Sequence, residues 1–295
     1  MAENISDSKR LSRRKFLRRA LSGVGATAAT TFLYTWRVEP HWVEVVHRGL
    51  PLAGLPTGLV GKRLVQLSDL HAGHIVDQTF LTRAVASVAE LKPDLIVVTG
   101  DIMNCEEASF DGHVEVRKAV EALGALPPAP LGRFAVLGNH DYGFGWKQNS
   151  TANKLVAAIE KLDVRVLRNE VADVGGLQLA GVDDLWSNNF DAEKTLGQLE
   201  STRPTIALCH NPDGVDRPEW RGFRGWTLAG HTHGGQCKPP FLPPPILPVE
   251  NRRYVAGEYD ISPDHRMYIN RGLGYLRRVR FNARPEITVF TLRQA

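Results

Sequence analysis

The chain has 295 residues, of which 43% are hydrophobic and 23% are charged, as is ordinary for a globular protein. A chain of this length can bury a sizeable core and fits one catalytic domain with a short extension. The total net charge is +4, but residues 1–37 alone carry +6, so residues 38–295 carry −2. Positive charge confined to one tail argues against a nucleic-acid-binding surface, and no nucleic-acid partner is expected.

The first 37 residues predict an export signal. A basic region precedes a mildly apolar stretch at residues 21–36. Within the basic region, residues 12–18 (SRRKFLR) resemble the twin-arginine export signal, both in the pair Arg13-Arg14 and in the Phe-Leu that follows. The resemblance implies the twin-arginine translocase as a partner and the periplasm, or the outer face of the cytoplasmic membrane, as the location. A basic amphipathic or disordered tail is the alternative interpretation.

The sequence leaves the fate of this signal open. Residues 26–28 (ATA) have the small-x-small form of a cleavage site, but they lie inside the apolar stretch. That stretch is about 16 residues long, whereas a comfortable membrane span needs about 20. Cleavage and retention as an uncleaved membrane anchor both stay open. The catalytic domain is expected to occupy residues 38–295.

After residue 37, short apolar runs alternate with helical spacing, which is typical of a layered α/β or α+β domain. Helices are predicted at residues 79–91, with Thr79 as N-cap, and at 114–126, 152–162 and about 191–199. Strands are predicted at residues 64–67, 95–98, 134–137, 164–167, 177–182, 205–209 and 227–229, and as antiparallel strands near 253–259, 266–270 and 286–292. The proline-rich residues 239–248 cannot lie within a sheet and predict an extended loop.

Polar side chains that can bind metal ions follow five of the predicted strands. These residues are Asp69 and His71, Asp101, Asn139 and His140, His210, and His231 and His233. Because ligands bind at the carboxyl ends of strands in open α/β sheets, we expect these side chains to converge. Each motif alone is weak evidence, since Asp-x-His or Gly-Asn-His-Asp is often only a turn. Five such motifs in order, each closing an apolar strand, favour a metal site.

Mixed imidazole and carboxylate ligands suit borderline divalent ions, and we expect two ions of Mn, Zn or Fe. The carboxylate of Asp101 could bridge two ions about 3.5–4 Å apart. Such a pair lowers the pKa of a shared water and offsets the charge that builds on the phosphoryl oxygens. The sequence therefore predicts hydrolysis of phosphate esters.

The motifs resemble those of the calcineurin-like metallophosphoesterase family over about residues 60 to 235. The resemblance implies a four-layer α/β/β/α sandwich of two mixed sheets. It implies that Asp69, His71 and His233 hold one ion, that Asn139, His210 and His231 hold the other, and that Asp101 bridges both. His140 would face the phosphate and protonate the leaving oxygen. Asp141 would orient His140 through its other ring nitrogen.

Within this family, the chain looks like the exported bacterial phosphodiesterases in its N-terminal signal and its opening Gln-Leu-Ser-Asp-Leu-His. Purple acid phosphatases carry a tyrosine ligand where this chain has Asn104, so the resemblance to that branch is poor and a coloured ferric site is not expected. A phosphodiesterase acting on envelope-linked or lipid-linked esters is favoured, as a monomer. The alternatives are a membrane-surface pyrophosphatase acting on UDP-2,3-diacylglucosamine, a phosphomonoesterase, and a non-enzymatic scaffold, which the full ligand set disfavours.

Substrate recognition is less clearly encoded. Arg271, Arg277, Arg278 and Arg280 form a basic cluster that either contacts a substrate phosphate or lies on a solvated edge. Loop 239–248 either lies against lipid or packs as an ordinary long loop. Phe144 and Trp146 are candidates for the mouth of the pocket. The three cysteines, Cys105, Cys209 and Cys237, cannot all pair within one chain, and a Cys209–Cys237 disulfide is the less favoured outcome.

Overall fold

The computed structural model describes residues 13–105 and 112–295, so the start of the predicted export signal, residues 1–12, lies outside the described part. The helices are α1 (Arg13–Leu33), α2 (Gln78–Ala86), α3 (His113–Leu123), α4 (Asn149–Ile159) and α5 (Ala192–Leu196). The strands are β1 (Glu44–Leu52), β2 (Arg63–Leu67), β3 (Leu95–Thr99), β4 (Arg133–Val136), β5 (Arg165–Val166), β6 (Glu170–Val174), β7 (Leu177–Val182), β8 (Thr205–Cys209), β9 (Gly225–Ala229), β10 (Gly257–Ser262), β11 (His265–Ile269) and β12 (Glu286–Gln294).

The strands form two six-stranded mixed sheets. The first has the order β1-β12-β2-β3-β4-β5, and the second has the order β10-β11-β9-β8-β7-β6. In the first sheet β2 to β5 run parallel, while β12 is antiparallel to β2 and parallel to β1. In the second sheet β7, β8, β9 and β11 run parallel, and β6 and β10 are antiparallel edge strands. The carboxyl ends of β2, β3 and β4 and of β8 and β9 carry the predicted metal-binding motifs.

The molecule has four layers, and an apolar core lies between each pair of adjacent layers. The first core packs α2, α3 and α4 on the outer face of the first sheet. The second lies between the two sheets, where Leu64 and Leu95 of one sheet meet Leu208 and Trp226 of the other. The third covers the outer face of the second sheet, where α5 and Trp220 pack. The expected α/β/β/α sandwich is therefore confirmed.

Strands β2, β3 and β8 form where the sequence has continuous apolar runs, because each is covered on both faces. Helix α2 starts one residue earlier than predicted, and its N-cap is Asp77 rather than Thr79. The Asp77 carboxylate accepts a hydrogen bond from the backbone N–H of Phe80 (2.9 Å), which satisfies an otherwise unpaired donor of the first turn. The expectation that the three C-terminal strands are antiparallel is wrong in part, since β11 runs parallel to β9 and β12 runs parallel to β1.

The N-terminal segment joins the catalytic domain before residue 38. All side chains of α1 are exposed, but Thr35 is buried and its carbonyl accepts from the backbone N–H of Arg280 (3.0 Å). The carboxylate of Glu39 is also buried and accepts from the backbone N–H of Ala283 (2.7 Å). Across residues 13–105 and 112–295, no helix combines the length and the apolar content that a membrane span requires.

Candidate metal centre

The seven predicted ligand side chains meet in the groove where the carboxyl ends of the two sheets come together. The first sheet contributes Asp69, His71, Asp101 and Asn139, and the second contributes His210, His231 and His233. All seven are buried, with at most 4% of their surface exposed. The two sheets are linked within this groove, because the backbone N–H of His231 donates to both carboxylate oxygens of Asp69 at 3.0 Å.

One group of three donors could hold a metal ion at the end of β2. The Nε2 atoms of His71 and His233 are 2.9 Å apart, and the Nε2 of His233 lies 3.4 Å from Oδ1 of Asp69. The Nε2 of His71 lies 3.9 Å from the same oxygen. Ligands about 2.0–2.2 Å from a shared ion lie roughly 3–3.5 Å from one another, so these spacings fit a common divalent ion.

A second group lies beside the first and consists of Asp101, His210 and His231. The Nε2 of His210 is 3.2 Å from Oδ2 of Asp101, and the Nδ1 of His231 is 3.2 Å from the Nε2 of His210. The same Oδ2 of Asp101 is 3.6 Å from the Nε2 of His71, which belongs to the first group. One carboxylate oxygen of Asp101 therefore adjoins both groups of donors.

The side-chain amide of Asn139 is buried and makes no hydrogen bond to the described residues. Both its Oδ1 and its Nδ2 are buried and lack a hydrogen-bond partner among the described residues. Leaving a buried amide unpaired costs about 1–3 kcal/mol, so an orphaned amide calls for an explanation. A metal ion bound by the amide oxygen would explain why that oxygen has no hydrogen-bond partner. The donor set thus fits the two-metal site that the sequence predicts.

The backbone around these side chains adopts an uncommon conformation. Five of the seven predicted ligands have positive φ angles of 48–71°, namely Asp69, His71, Asp101, His231 and His233. Non-glycine residues in this left-handed region cost about 1–3 kcal/mol each, and such strain clusters at functional sites. Backbone hydrogen bonds between adjacent loops hold it in place, including His71 N–H to Asp101 O (2.9 Å) and Asp69 N–H to Gly100 O (3.0 Å).

Two glycines allow the ligand loops to approach this closely. A Cβ on Gly138 would lie 2.3 Å from Oδ1 of Asp101, and a Cβ on Gly230 would lie 2.3 Å from Oδ2 of Asp69. Carbon and oxygen cannot come this close without displacement. The glycines of Gly-Asn-His-Asp and Gly-His-Thr-His therefore serve the close approach of two carboxylates to neighbouring strands.

Burial and mutual charge shift the pKa values of the groups in the groove. Burial raises the pKa of Asp69 to about 6 and lowers the pKa of His71 and of His231 to about 3. Burial also raises the pKa of Asp101, but the surrounding imidazoles, led by His210, outweigh it and bring the value well below the ordinary range. The pKa of His210 rises to about 10, because the attraction of Asp101 outweighs its burial. The groove therefore favours positive charge beside Asp101, as a cation site does.

A scan against protein-family models matches residues 62–239 to the calcineurin-like phosphoesterases. The chain is 35% identical to the metallophosphoesterase YkuE of Bacillus subtilis, over 97% of this chain and 99% of that protein. It is 34% identical to the phosphodiesterase YaeI of Escherichia coli, over 96% and 99% of the two chains. It is 27% identical to the UDP-2,3-diacylglucosamine pyrophosphatase LpxG of Chlamydia trachomatis, over 91% and 94%.

The chain belongs to the calcineurin-like phosphoesterase family. It is a metal-dependent phosphoester hydrolase, and the predicted fold, family and reaction class are confirmed.

In this metallophosphoesterase the ring of His140 lies at the open side of the groove. It packs edge-on against the ring of His71, with centroids 4.9 Å apart, and faces Trp146 at 6.0 Å. Its backbone N–H donates to Oδ1 of Asp101 (2.9 Å), which ties the residue to the shared carboxylate. Burial lowers the pKa of His140 below its ordinary value. The position is that of a group able to contact a phosphoryl oxygen.

Asp141 does not have the role that the sequence predicts. Its two carboxylate oxygens accept from the backbone N–H groups of Met103 (3.0 Å) and Gly138 (2.8 Å). Asp141 therefore joins the loops after β3 and β4, rather than orienting the ring of His140. The correction has a physical cause, since a buried carboxylate gains most from donors that cannot rotate away, and backbone amides meet that condition.

Sequence reasoning missed two residues that follow β7. Asp184 is buried, and its carboxylate accepts from the backbone N–H groups of Trp186 (2.8 Å) and Ser187 (2.9 Å). Burial raises the pKa of Asp184 to about 7, although His210 lowers it. Trp186 lies edge-on against His231 at 4.5 Å. Their position after an apolar strand was the available signal, because it is the same signal that identified the other motifs.

Phe144 and Trp146 were expected to line the mouth of the pocket. For Phe144, which is half exposed, this stays a prediction. Trp146 packs against other aromatic rings. Its ring stacks on Trp186 with centroids 5.0 Å apart, so the two indoles form an aromatic pair beside His140 and His231. An aromatic pair at this place offers an apolar, planar surface to the organic group of a substrate.

The arginine cluster divides into internal and surface residues. Arg280 is fully buried and donates to the carbonyls of Ala283 (2.7 Å) and Arg271 (3.0 Å). Arg271 itself pairs with Glu44 (2.8 Å) and with Glu286. Arg277 is exposed and Arg278 is half-buried.

Loop 239–248 has neither helix nor strand, as predicted, and it returns to the metal centre. The carbonyl of Pro248, at its end, lies 2.8 Å from Nε2 of His231. Cys209 and Cys237 do not form a disulfide.

Proposed function

We propose that this metallophosphoesterase cleaves phosphodiesters at a centre of two divalent ions, Mn, Zn or Fe. Asp69, His71 and His233 hold the first ion, and Asn139, His210 and His231 hold the second. Asp101 is shared by both. The observation that carries the proposal is the single carboxylate oxygen of Asp101, which lies 3.6 Å from one group of donors and 3.2 Å from the other.

In this proposal each residue of the site has a distinct role in the reaction. When bound, the two ions supply Lewis-acid stabilisation of the phosphoryl oxygens and lower the pKa of the attacking water. His140 contacts the phosphoryl group from the open side and donates a proton to the leaving oxygen as its bond to phosphorus breaks. Asp141 keeps the loop of His140 fixed to the loop of Met103. The aromatic pair Trp146–Trp186 binds the organic part of the ester.

Two observations support a diester rather than a monoester. The chain is 34% identical to a protein named as a phosphodiesterase over nearly the whole of both chains. In addition, a diester has an organic group on each side of phosphorus, and the aromatic pair lies beside the reacting position. Hydrolysis of a nucleotide-sugar lipid pyrophosphate is the second candidate, because the similarity to LpxG spans 91% of this chain and a nucleobase can stack on an indole.

The test is hydrolysis of bis-p-nitrophenyl phosphate beside p-nitrophenyl phosphate. The full chain is stripped with chelator and then supplied with Mn or Zn, and Asp101→Ala serves as the matched control. Metal-restored cleavage that favours the diester supports the proposal. Preference for the monoester would overturn the diester assignment. Cleavage of UDP-2,3-diacylglucosamine with inactivity on both aryl esters would favour the second candidate.

We further propose that the protein acts in the cell envelope, as a monomer that the twin-arginine translocase exports. The support is the SRRKFLR sequence at residues 12–18. Helix α1 also supports it, because all its side chains are exposed and a translocase can bind it without unfolding the domain. After export the N-terminal segment associates with the membrane, unless it is removed. Fractionation of cells that produce the full chain tests the location.

A further inference from the structure

Loop 239–248 displays large apolar side chains to solvent. Phe241 is fully exposed, and 61% of Leu242 and 76% of Ile246 are exposed. The loop is held in this form, because Pro244 packs against Gly235 and the guanidinium of Arg252 donates to the carbonyl of Pro244 (3.1 Å). Exposed apolar groups that occur together, on a loop fixed by its own contacts, mark an interaction site rather than an accident of sequence.

The root of this loop lies on a short segment, residues 276–281, which we call the strap. The backbone N–H of Lys238 donates to the carbonyl of Phe281 (2.8 Å), and the side-chain amide of Gln236 donates to the carbonyl of Arg277 (3.1 Å). The exposed Arg277 and the half-buried Arg278 of the strap are thus neighbours of the loop.

The strap also contacts the end of the N-terminal segment. The backbone N–H of Arg280 donates to the carbonyl of Thr35, and the guanidinium of Arg278 lies over the ring of Trp36 at 5.8 Å. Trp36 stacks on Phe32, of which 60% is exposed. The strap therefore joins two groups of exposed apolar side chains, one on the loop and one at the end of α1.

Positive charge lies beside the strap and the end of the N-terminal segment. Beside the strap is a cleft of about 630 Å³ whose charged lining is Arg37, Arg83 and Arg278, with His41 and a single acid, Asp77. Asp77 caps α2 through Phe80, so its charge is already engaged. A cleft of this composition suits an anionic headgroup.

We propose that the tip of loop 239–248, the strap and the end of α1 form a docking surface for a bilayer that contains anionic phospholipids. Apolar side chains enter the boundary between headgroups and acyl chains, while the arginines contact lipid phosphates. Because the carbonyl of Pro248 lies 2.8 Å from His231, docking of the loop brings the metal centre to the lipid surface. The proposal does not depend on which ester the centre cleaves.

The test is co-sedimentation of the full chain with vesicles of phosphatidylcholine alone or mixed with phosphatidylglycerol. The triple variant Phe241→Ser, Leu242→Ser, Ile246→Ser should bind mixed vesicles at least about tenfold more weakly than the unaltered chain. Val60→Ser is the matched control, since Val60 is 47% exposed and precedes β2, at the end of the sheet opposite the metal centre. It should leave binding unchanged.

The charge contribution is tested separately. Arg277→Gln with Arg278→Gln should weaken binding to mixed vesicles several-fold, with a smaller effect at high salt. Arg221→Gln should not, because Arg221 is an exposed residue that precedes β9, at the end of that strand opposite the metal centre. Hydrolysis of bis-p-nitrophenyl phosphate should be the same in the loop variant as in the unaltered chain, which shows that the variant is folded.

Three results would overturn the proposal. The first is failure of the unaltered chain to bind mixed vesicles. The second is binding of the loop variant to mixed vesicles as strongly as the unaltered chain. The third is loss of soluble-ester hydrolysis by the loop variant while its vesicle binding is retained. Leu242→Ser alone, which removes one side chain from a solvent-exposed position, should weaken vesicle binding to a smaller extent and repeats the test with the least change to the loop.

Discussion

Gly138 gives the sharpest test of whether the two groups of metal donors share Asp101. Its backbone is extended, with φ −105° and ψ 178°, a conformation that alanine adopts without strain. A Cβ at this position would nevertheless lie 2.3 Å from Oδ1 of Asp101 and 2.5 Å from its backbone nitrogen. Any loss of stability or activity in Gly138→Ala therefore comes from the contact with Asp101 and not from a backbone conformation that alanine cannot adopt.

The size of the effect follows from the overlap. Relieving it requires Asp101 or the loop after β4 to move by about 1 Å. Overpacking of this kind costs about 1–3 kcal/mol, which should lower the melting temperature by roughly 2–12 °C in a domain of this size. A displacement of about 1 Å in a reacting centre costs roughly 10²-fold in turnover. Since one oxygen of Asp101 adjoins both groups of donors, both metal positions should lose affinity.

The assay combines metal content after dialysis, thermal unfolding and kcat/KM on bis-p-nitrophenyl phosphate. Gly58→Ala is the control, because nothing lies within 4 Å of a Cβ there, and it should keep full activity and gain up to about 1 kcal/mol. If Gly138→Ala binds two metals and turns over at the unaltered rate, Asp101 is not the shared ligand and the reasoning fails.

Three further predictions can be checked with the same preparation. His140→Ala should lower turnover by roughly 10²–10⁴-fold while the metal content stays intact, and loss of metal would assign His140 to the ligands instead. Replacing both Arg13 and Arg14 with Lys should keep the protein inside the cell, and normal export on fractionation would refute the signal. Burial lowers the pKa of His265 from 6.5 to about 4, so its imidazole stays neutral in the folded protein while the unfolded chain binds a proton. The free energy of unfolding should therefore decrease as the pH falls from about 6.5 towards 4. Denaturant titrations should show that His265→Gln removes up to about 3 kcal/mol of this decrease, and an identical pH profile would contradict it.

The central strands were predictable because burial on both faces requires continuous apolar runs, as in β3 with Leu-Ile-Val-Val. Strand β1 was missed because it is an edge strand whose residues are mostly exposed or partly exposed. It also contains Pro51, which an edge strand tolerates but which in a sequence usually indicates the end of a strand. Strand β6 was missed although a signal was present. The signal is Gly175-Gly176, which separates β6 from β7 as a two-residue hairpin turn does.

The ligand set was predictable for a different reason. Metal-binding side chains must leave the sheet at strand ends, so their position relative to apolar runs carries the information. The role of Asp141 was not predictable, because sequence adjacency to His140 suggests a side-chain pair, whereas the fold offers two backbone amides instead. Trp186 could have been found from its position after an apolar strand, but its contact with Trp146 was not predictable, since it depends on how the loops after β4 and β7 meet.

The strained backbone at the ligands is explained by the way the groove is assembled. Donors arrive from two sheets whose strands point towards one groove, and each loop must turn within one or two residues to direct a side chain inward. Left-handed residues such as Asp69 and His231 achieve that turn, and the hydrogen bond between them passes from one sheet to the other. The strain is therefore maintained by the packing between the sheets, where Leu64 and Trp226 lie. Substitutions in this distant core should reach the metal centre through the backbone rather than through any side-chain contact.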